Sequence, residues 1–207
     1  MTGTDRHEHW DAVYTGKSPT DVSWYQHAPA PSLRALAHAG AVPASSLVDV
    51  GGGASNLVDA LLAQGWQDLT VLDIAAPALD TAKARLGHLA DMVNWVAEDI
   101  TEWVPERTFD VWHDRAVFHF LTEQEQREAY QRALLQGTAT GSHVIIATFA
   151  LDGPEKCSGL PVQRYDAAGL ARQLGDRFEL TDTWLEDHVT PWGAVQSFNW
   201  CLFRRIR

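Results

Sequence analysis

Ser46-Leu47-Val48-Asp49-Val50-Gly51-Gly52-Gly53-Ala54-Ser55-Asn56 decides the fold. An apolar run ends in an acid, passes into glycines and leads to Leu57, Val58, Leu61 and Leu62, which share one helix face closed by Gly65. A second apolar run, Leu69-Thr70-Val71-Leu72-Asp73, also ends in Asp. Strand, glycine turn, helix and second strand closing on an acid make a nucleoside-binding βαβ unit. Glycines let the backbone approach a ligand, and the second acid can hold a ribose diol.

The alternation continues outward. Pro77 to Leu86 reads as a helix stopped by Gly87, with Val93–Ala97 and Phe109–His113 as the third and fourth strands. Thr122-Glu123-Gln124-Glu125 reads as a capping box opening a helix that runs to Gly137. His143–Phe149 is a fifth strand, and Asp166 can N-cap a short helix ending near Gly175. Upstream, Pro31 opens a helix with Gly40 just past its end. Phe178–Trp184 and Gln196–Arg204 are strands with no helix between them, and a tight connection forces antiparallel pairing. The expectation is an α/β, Rossmann-like parallel sheet finished by an antiparallel hairpin. No linker divides the chain, so residues 1–207 are expected to form a single domain behind an aromatic N-terminal segment, 1–30.

Composition narrows the partners. The 207 residues include 16 basic against 27 acidic side chains, a net charge of -11, which argues against a nucleic-acid backbone as partner. The two cysteines, Cys157 and Cys201, lack CxxC spacing and neighbouring histidines, so neither a disulfide framework nor a metal site is expected. No apolar run is long enough to span a membrane, and residues 1–8 lack the apolar core of a signal peptide. The reading is a cytoplasmic protein acting on a small molecule, with several of its nine tryptophans lining a pocket or rim.

A dinucleotide fingerprint would place glycine where Asn56 stands, for close helix–strand packing. Asp49, two residues before the first glycine, would repel a pyrophosphate yet can reach a sulfonium or ammonium. Glu98-Asp99-Ile100 follows the third strand. An acid there can accept from an adenine amino group while Ile100 packs on the ring. Together these residues resemble the class I S-adenosylmethionine-dependent methyltransferases, whose glycine motif, ribose acid and adenine acid align with Asp49–Ser55, Asp73 and Asp99. Ser55 replaces the usual last glycine, as it does in small lysine methyltransferases of this fold. The resemblance implies a seven-stranded sheet and S-adenosylmethionine as cofactor. Gly51, Gly53 and Ser55 would lie along its methionine part, with Asp49 ordering the loop, and His113 is a further cofactor-binding candidate. Asp73 would take the ribose hydroxyls, Ile74 and Ile100 the adenine faces, and Asp99 or its neighbour Glu98 the amino group. In relatives an N-terminal segment folds over the cofactor. Here Trp10, Tyr14 and Trp24 would play that part, their faces attracting the sulfonium.

The segment after the fourth strand, Val111-Trp112-His113-Asp114-Arg115-Ala116-Val117-Phe118-His119-Phe120, faces the methyl group in this fold. It lacks the Asn/Asp-Pro-Pro-Tyr type motif of enzymes that methylate nucleic-acid amines. Asp114, Arg115 and His119 are the candidate catalytic residues. An Asp–His pair can serve as a general base, and Arg115 can pair with Asp114 or bind an anionic group. The Asp-Arg pair resembles the matching loop of thiopurine and related thiol methyltransferases. His9-Trp10, Tyr14 and Ser23-Trp24 with Gly51–Ser55 resemble the small lysine methyltransferases that include the citrate synthase enzyme. Residues 152–161 suit a lid, with Cys157 as a pocket wall and His188, Trp192 and Gln196 closing the same pocket. The expected activity is methyl transfer to a small nucleophile, a thiol or hydrogen chalcogenide. The alternatives are protein lysine N-methylation, a non-catalytic nucleoside-binding module and a nicotinamide oxidoreductase.

Overall fold

A computed structural model describes residues 3–16 and 18–207. Helix α1 (Gly3–Gly16) and a 3-10 turn at Pro19–Asp21 precede α2 (Ala30–His38). The alternating core then runs β1 (Leu47–Val50), α3 (Leu57–Ala63), β2 (Leu69–Asp73), α4 (Ala76–Leu86), β3 (Val93–Ala97), β4 (Phe109–Arg115), α5 (Gln124–Gln136) and β5 (Thr138–Phe149). A small hairpin, β6 (Lys156–Cys157) with β7 (Leu160–Pro161), leads to α6 (Ala167–Leu174), and the chain closes on β8 (Phe178–Val189) and β9 (Val195–Arg205).

The seven-stranded sheet has the order β3-β2-β1-β4-β5-β9-β8. β1 to β5 are parallel to one another, and β9 inserts antiparallel between β5 and β8. The expected architecture is therefore the observed one. Strands β1 and β2 are buried at every position, as strands covered by helices on both faces must be. Successive side chains take opposite faces, so Leu47, Val111 and Ile145 join one core while Val48, Trp112 and Ile146 join the other.

Local readings shift in three places. The α5 capping box is one residue later than Thr122–Glu125: Glu123 is the N-cap, and its backbone N–H donates to Gln126 Oε1 at 3.2 Å. Strands β8 and β9 outrun their apolar stretches because the hairpin pairing extends the ladder from Phe178 opposite Arg205 to Val189 opposite Val195, and β5 starts earlier, at Thr138, which pairs with Phe109 of β4. Helix α1 carries no apolar stripe of helical period, and it forms against the mouth of the sheet rather than from its own pattern. Among the described residues, no helix is long and apolar enough to cross a membrane.

Candidate functional site

The strand order reverses between β1 and β4, and the crevice at their carboxyl ends is where doubly wound sheets bind ligands. A cavity of about 760 Å³ lies there, walled by Gly51 after β1, Asp73 and Ile74 at the end of β2, Asp99 and Ile100 after β3, and Arg115 at the end of β4. A second cavity of about 640 Å³ sits over the glycine turn and shares Tyr14, Trp24, Gly51 and Arg115 with the first. The turn needs its glycines for contact as well as conformation. A Cβ on Gly51 would overlap Val117 Cγ2, and one on Gly53, whose φ is 40°, would lie 2.7 Å from Asp73 Oδ2 and 3.1 Å from the Tyr14 hydroxyl.

Asp73 is 5% exposed. Its Oδ1 accepts from the Ala75 N–H at 2.8 Å. Burial, with Asp49 and Asp11 nearby, outweighs the Ala75 and Gly53 backbone bonds and pushes its carboxyl up to about 7. A buried acid so short of donors fits a ligand that brings two hydroxyls. Tyr14 stands over it, its phenol pushed up by burial and by Asp73. Carboxylate, glycine cradle and apolar walls at Ile74 and Ile100 together fit S-adenosylmethionine.

Asp49 and His113 are register partners across β1 and β4, which brings Asp49 Oδ1 to 2.7 Å from His113 Nδ1. His113 Nε2 lies 3.0 Å from Ser32 Oγ of α2, so the ring is held at both nitrogens. Asp114, the next residue, points to the other face. Its Oδ2 accepts from the Tyr130 hydroxyl at 2.8 Å and its Oδ1 from the Val117 N–H at 2.9 Å. Burial pushes its carboxyl up to about 6 against these bonds. The Asp–His pair anticipated within residues 113–119 is thus replaced by one between strands, because strand neighbours cannot share a face.

Arg115 does not pair with Asp114. Its Nη1 donates to the Trp24 carbonyl at 3.1 Å, and its Cζ lies 4.8 Å from the centre of the Phe198 ring. Burial lowers the guanidinium to about 10, which leaves it charged at neutral pH. His119, in the 3-10 turn Phe118–Phe120, is fully buried, and its Nδ1 accepts from the Phe149 N–H at 3.3 Å. Burial and Arg115 push its imidazole down to about 3, so it is neutral and a poor base.

At the adenine end, both oxygens of Asp99 are engaged. Oδ1 accepts from the Thr101 N–H and hydroxyl, both at 2.8 Å, and Oδ2 from Arg6 Nε and Nη2 at 2.9 and 2.7 Å. Arg6 therefore shares the place anticipated for the amino group, and Glu98 lies beside it in the same wall. Trp10, Tyr14 and Trp24 form one aromatic group, with Trp10 centred 5.7 Å from Trp24 and 5.1 Å from Phe120. Ser55 is exposed, and its Oγ accepts from the Leu57 N–H at 3.1 Å at the start of α3.

The β6–β7 hairpin brings Cys157 to the first cavity. His188 Nε2 lies 2.6 Å from the Ser23 carbonyl oxygen, tying the terminal hairpin to the N-terminal segment. Trp192 lines neither of these two cavities and is 62% exposed at the hairpin tip. Arg6, Ser32 and Tyr130 went unread in the sequence. Tyr130 had a signal, since a tyrosine on the buried face of α5 needs a partner for its hydroxyl. Arg6 and Ser32 had none. Among the described residues no group of His, Cys, Asp or Glu could hold a metal ion.

Residues 47–135 match the family described as a methyltransferase domain. No curated protein sequence matches the chain. Solved structures do. A protein studied for the conversion of a disulfide bond into a thioacetal group during echinomycin biosynthesis superposes with a TM-score of 0.76 at 21% identity, over 97% of this chain and 91% of that one. The N-methyltransferase NodS from Bradyrhizobium japonicum WM9, solved with S-adenosylhomocysteine, gives 0.72 at 15% identity, over 95% and 98%. The 1,6-didemethyltoxoflavin-N1-methyltransferase of Burkholderia thailandensis, solved with its substrate and S-adenosylhomocysteine, gives 0.68 at 18%, over 99% and 85%. The chain thus matches a methyltransferase domain over residues 47–135 and shares the fold of these solved structures over nearly its whole length.

Proposed function

We propose that the chain transfers the methyl group of S-adenosylmethionine to a small nucleophile that reacts as an anion, a thiolate or hydrogen chalcogenide. The observation that carries this is Arg115, a cation in the wall common to both cavities that forms no ion pair with an acid among the described residues. A thiol, with an ordinary pKa near ~8.5, ionises readily beside such a charge. A lysine ammonium is repelled by it and must also lose a proton first. Asp114 is committed to Tyr130 and the backbone, and His119 is held neutral, so neither serves an amine as base. The neighbour studied for a disulfide-to-thioacetal conversion also concerns sulfur.

When bound, the cofactor supplies an electrophilic methyl carbon on a sulfonium, which is released as a neutral thioether when the acceptor's lone pair takes the carbon. The chain's own residues bind and exclude water. Asp73 takes the ribose hydroxyls, Ile74 and Ile100 hold the adenine, and Glu98 takes its amino group while Arg6 keeps Asp99. Gly51 and Gly53 admit the methionine part, and Asp49, braced by His113, orders the turn around it. The segment 1–30, with Trp10, Tyr14 and Trp24, closes over the reacting centre as part of one domain spanning 1–207. Excluding water matters because displacement needs the nucleophile about 3 Å from the carbon and aligned with it.

Purified protein incubated with S-adenosylmethionine and a panel of sulfide, small thiols, amines and phenols tests this through S-adenosylhomocysteine release. Turnover confined to the sulfur acceptors is expected. Transfer only into protein from a cell extract would replace this reading with lysine methylation.

A further inference from the structure

Arg115 has one edge with nothing to bind. Its Nη1 is taken by the Trp24 carbonyl, but Nε and Nη2 are buried and have no hydrogen-bond partner among the described residues. Two charged donors left unmet in a protein wall are costly. Those two N–H groups form the side-on edge of the guanidinium. Elsewhere in this chain that edge grips a carboxylate, Arg6 on Asp99 and Arg85 on Asp59. The acids around Arg115 are spoken for: Asp49 by His113, and Glu186 by Trp200 Nε1 and Gln26. The group is also held in place. Phe198 stacks on it, and Ala116, the next residue, has a φ of 70°, a left-handed conformation that alanine adopts only when its surroundings impose it.

We propose that the Nε–Nη2 edge of Arg115 is a carboxylate-binding site, filled by the α-carboxylate of the cofactor's methionine part or by a carboxylate on the acceptor. A planar fork of two N–H groups matches two carboxylate oxygens, whereas a single thiolate sulfur would use it only in part. A phosphate dianion suits it less, because Asp73 and Asp49 line the same cavities and the negative charge of Glu186 also acts on Arg115. The acceptor source rests on the thiolate reading above, and the cofactor source does not.

Calorimetry with S-adenosylhomocysteine and with 5′-methylthioadenosine, which lacks the amino-acid part, separates the two sources. If the cofactor supplies the carboxylate, Arg115→Met weakens S-adenosylhomocysteine about tenfold or more and leaves methylthioadenosine unchanged. Arg115→Lys then restores only part of the loss, because an ammonium cannot fork. If the acceptor supplies it, both nucleoside affinities stay put. The KM for thioglycolate then rises about tenfold while that for ethanethiol does not. Should the variants fail to fold by circular dichroism, wild-type affinities for S-adenosylhomocysteine and its decarboxylated analogue, and wild-type KM values for the two thiols, carry the same comparison. Indifference of both nucleoside affinity and thioglycolate KM to the carboxylate or to Arg115 overturns the proposal alone. Failure of wild-type protein to bind either nucleoside overturns the cofactor reading as well.

Discussion

Arg6 grips Asp99 through Nε and Nη2 at 2.9 and 2.7 Å, tying α1 to the end of β3 across the mouth of the larger cavity. Thr101 fills the other carboxylate oxygen, so Asp99, 3% exposed, has about all four of its lone-pair sites in use. Asp99, the acid expected to read the cofactor, fastens helix α1 to the end of β3.

Arg6→Met leaves that buried carboxylate without its cation, at a cost of about 1–3 kcal/mol local to α1. Hydrogen exchange over residues 5–16 should quicken, and S-adenosylhomocysteine should bind several-fold more weakly. Unchanged exchange would mean that the aromatic contacts of Trp10 hold α1 without the ion pair.

Asp73→Asn should separate binding from stability. An acid whose folded pKa, here about 7, lies above its unfolded value costs the fold stability above pH 7, and the cost disappears as pH falls toward the unfolded value. Asparagine removes that cost. The ligand-free variant should be more stable at pH 8 by on the order of 1–3 kcal/mol, with little difference at pH 4. Its affinity for S-adenosylhomocysteine should nevertheless drop more than tenfold. Equal affinity by calorimetry would refute the ribose assignment.

The same titration sets a pH dependence of binding. Ribose hydroxyls donate to the ionised carboxylate, so affinity should rise with pH through about 7 and then level off, with proton uptake by Asp73 competing below. Calorimetry in buffers of different ionisation enthalpy should detect a proton released on binding at pH 6.5. A flat profile in wild type would remove Asp73 from the contact.

Tyr130→Phe should behave as a structural change. Trp112 Nε1 donates to the Tyr130 hydroxyl at 2.9 Å, which in turn donates to Asp114. Losing it strips Trp112 of its acceptor and Asp114 of a donor, and should destabilise the protein by about 1–3 kcal/mol. The shape of the kcat pH profile should not change. A shifted profile would return Asp114 to acid–base chemistry.

Trp24→Ala should raise the apparent cofactor constant. The ring bears on both Trp10 and Tyr14, and the backbone carbonyl of the same residue holds Arg115. A KM for S-adenosylmethionine equal to wild type would leave Trp24 a packing role alone.

The sequence by itself determined the βαβ unit, its glycine turn and the position of Asp73. Each is a local pattern, an apolar run followed by a residue type the next turn requires, and local patterns survive without coordinates. The parallel sheet with its antiparallel finish was legible for the same reason: connection length dictates strand direction. Tertiary structure decided which polar groups meet. His113 and Asp114 adjoin in sequence yet stand on opposite faces, and register gives His113 to Asp49 and Asp114 to Tyr130. It also decided that α1 forms at all, since its sequence lacks an apolar face and its hold comes from Asp99 and the Trp24 and Phe120 rings. Arg115 stands apart from Asp114 because neighbours on β4 point to opposite faces, and its partners, the Trp24 carbonyl and the Phe198 ring, are long-range contacts that no spacing in the chain encodes.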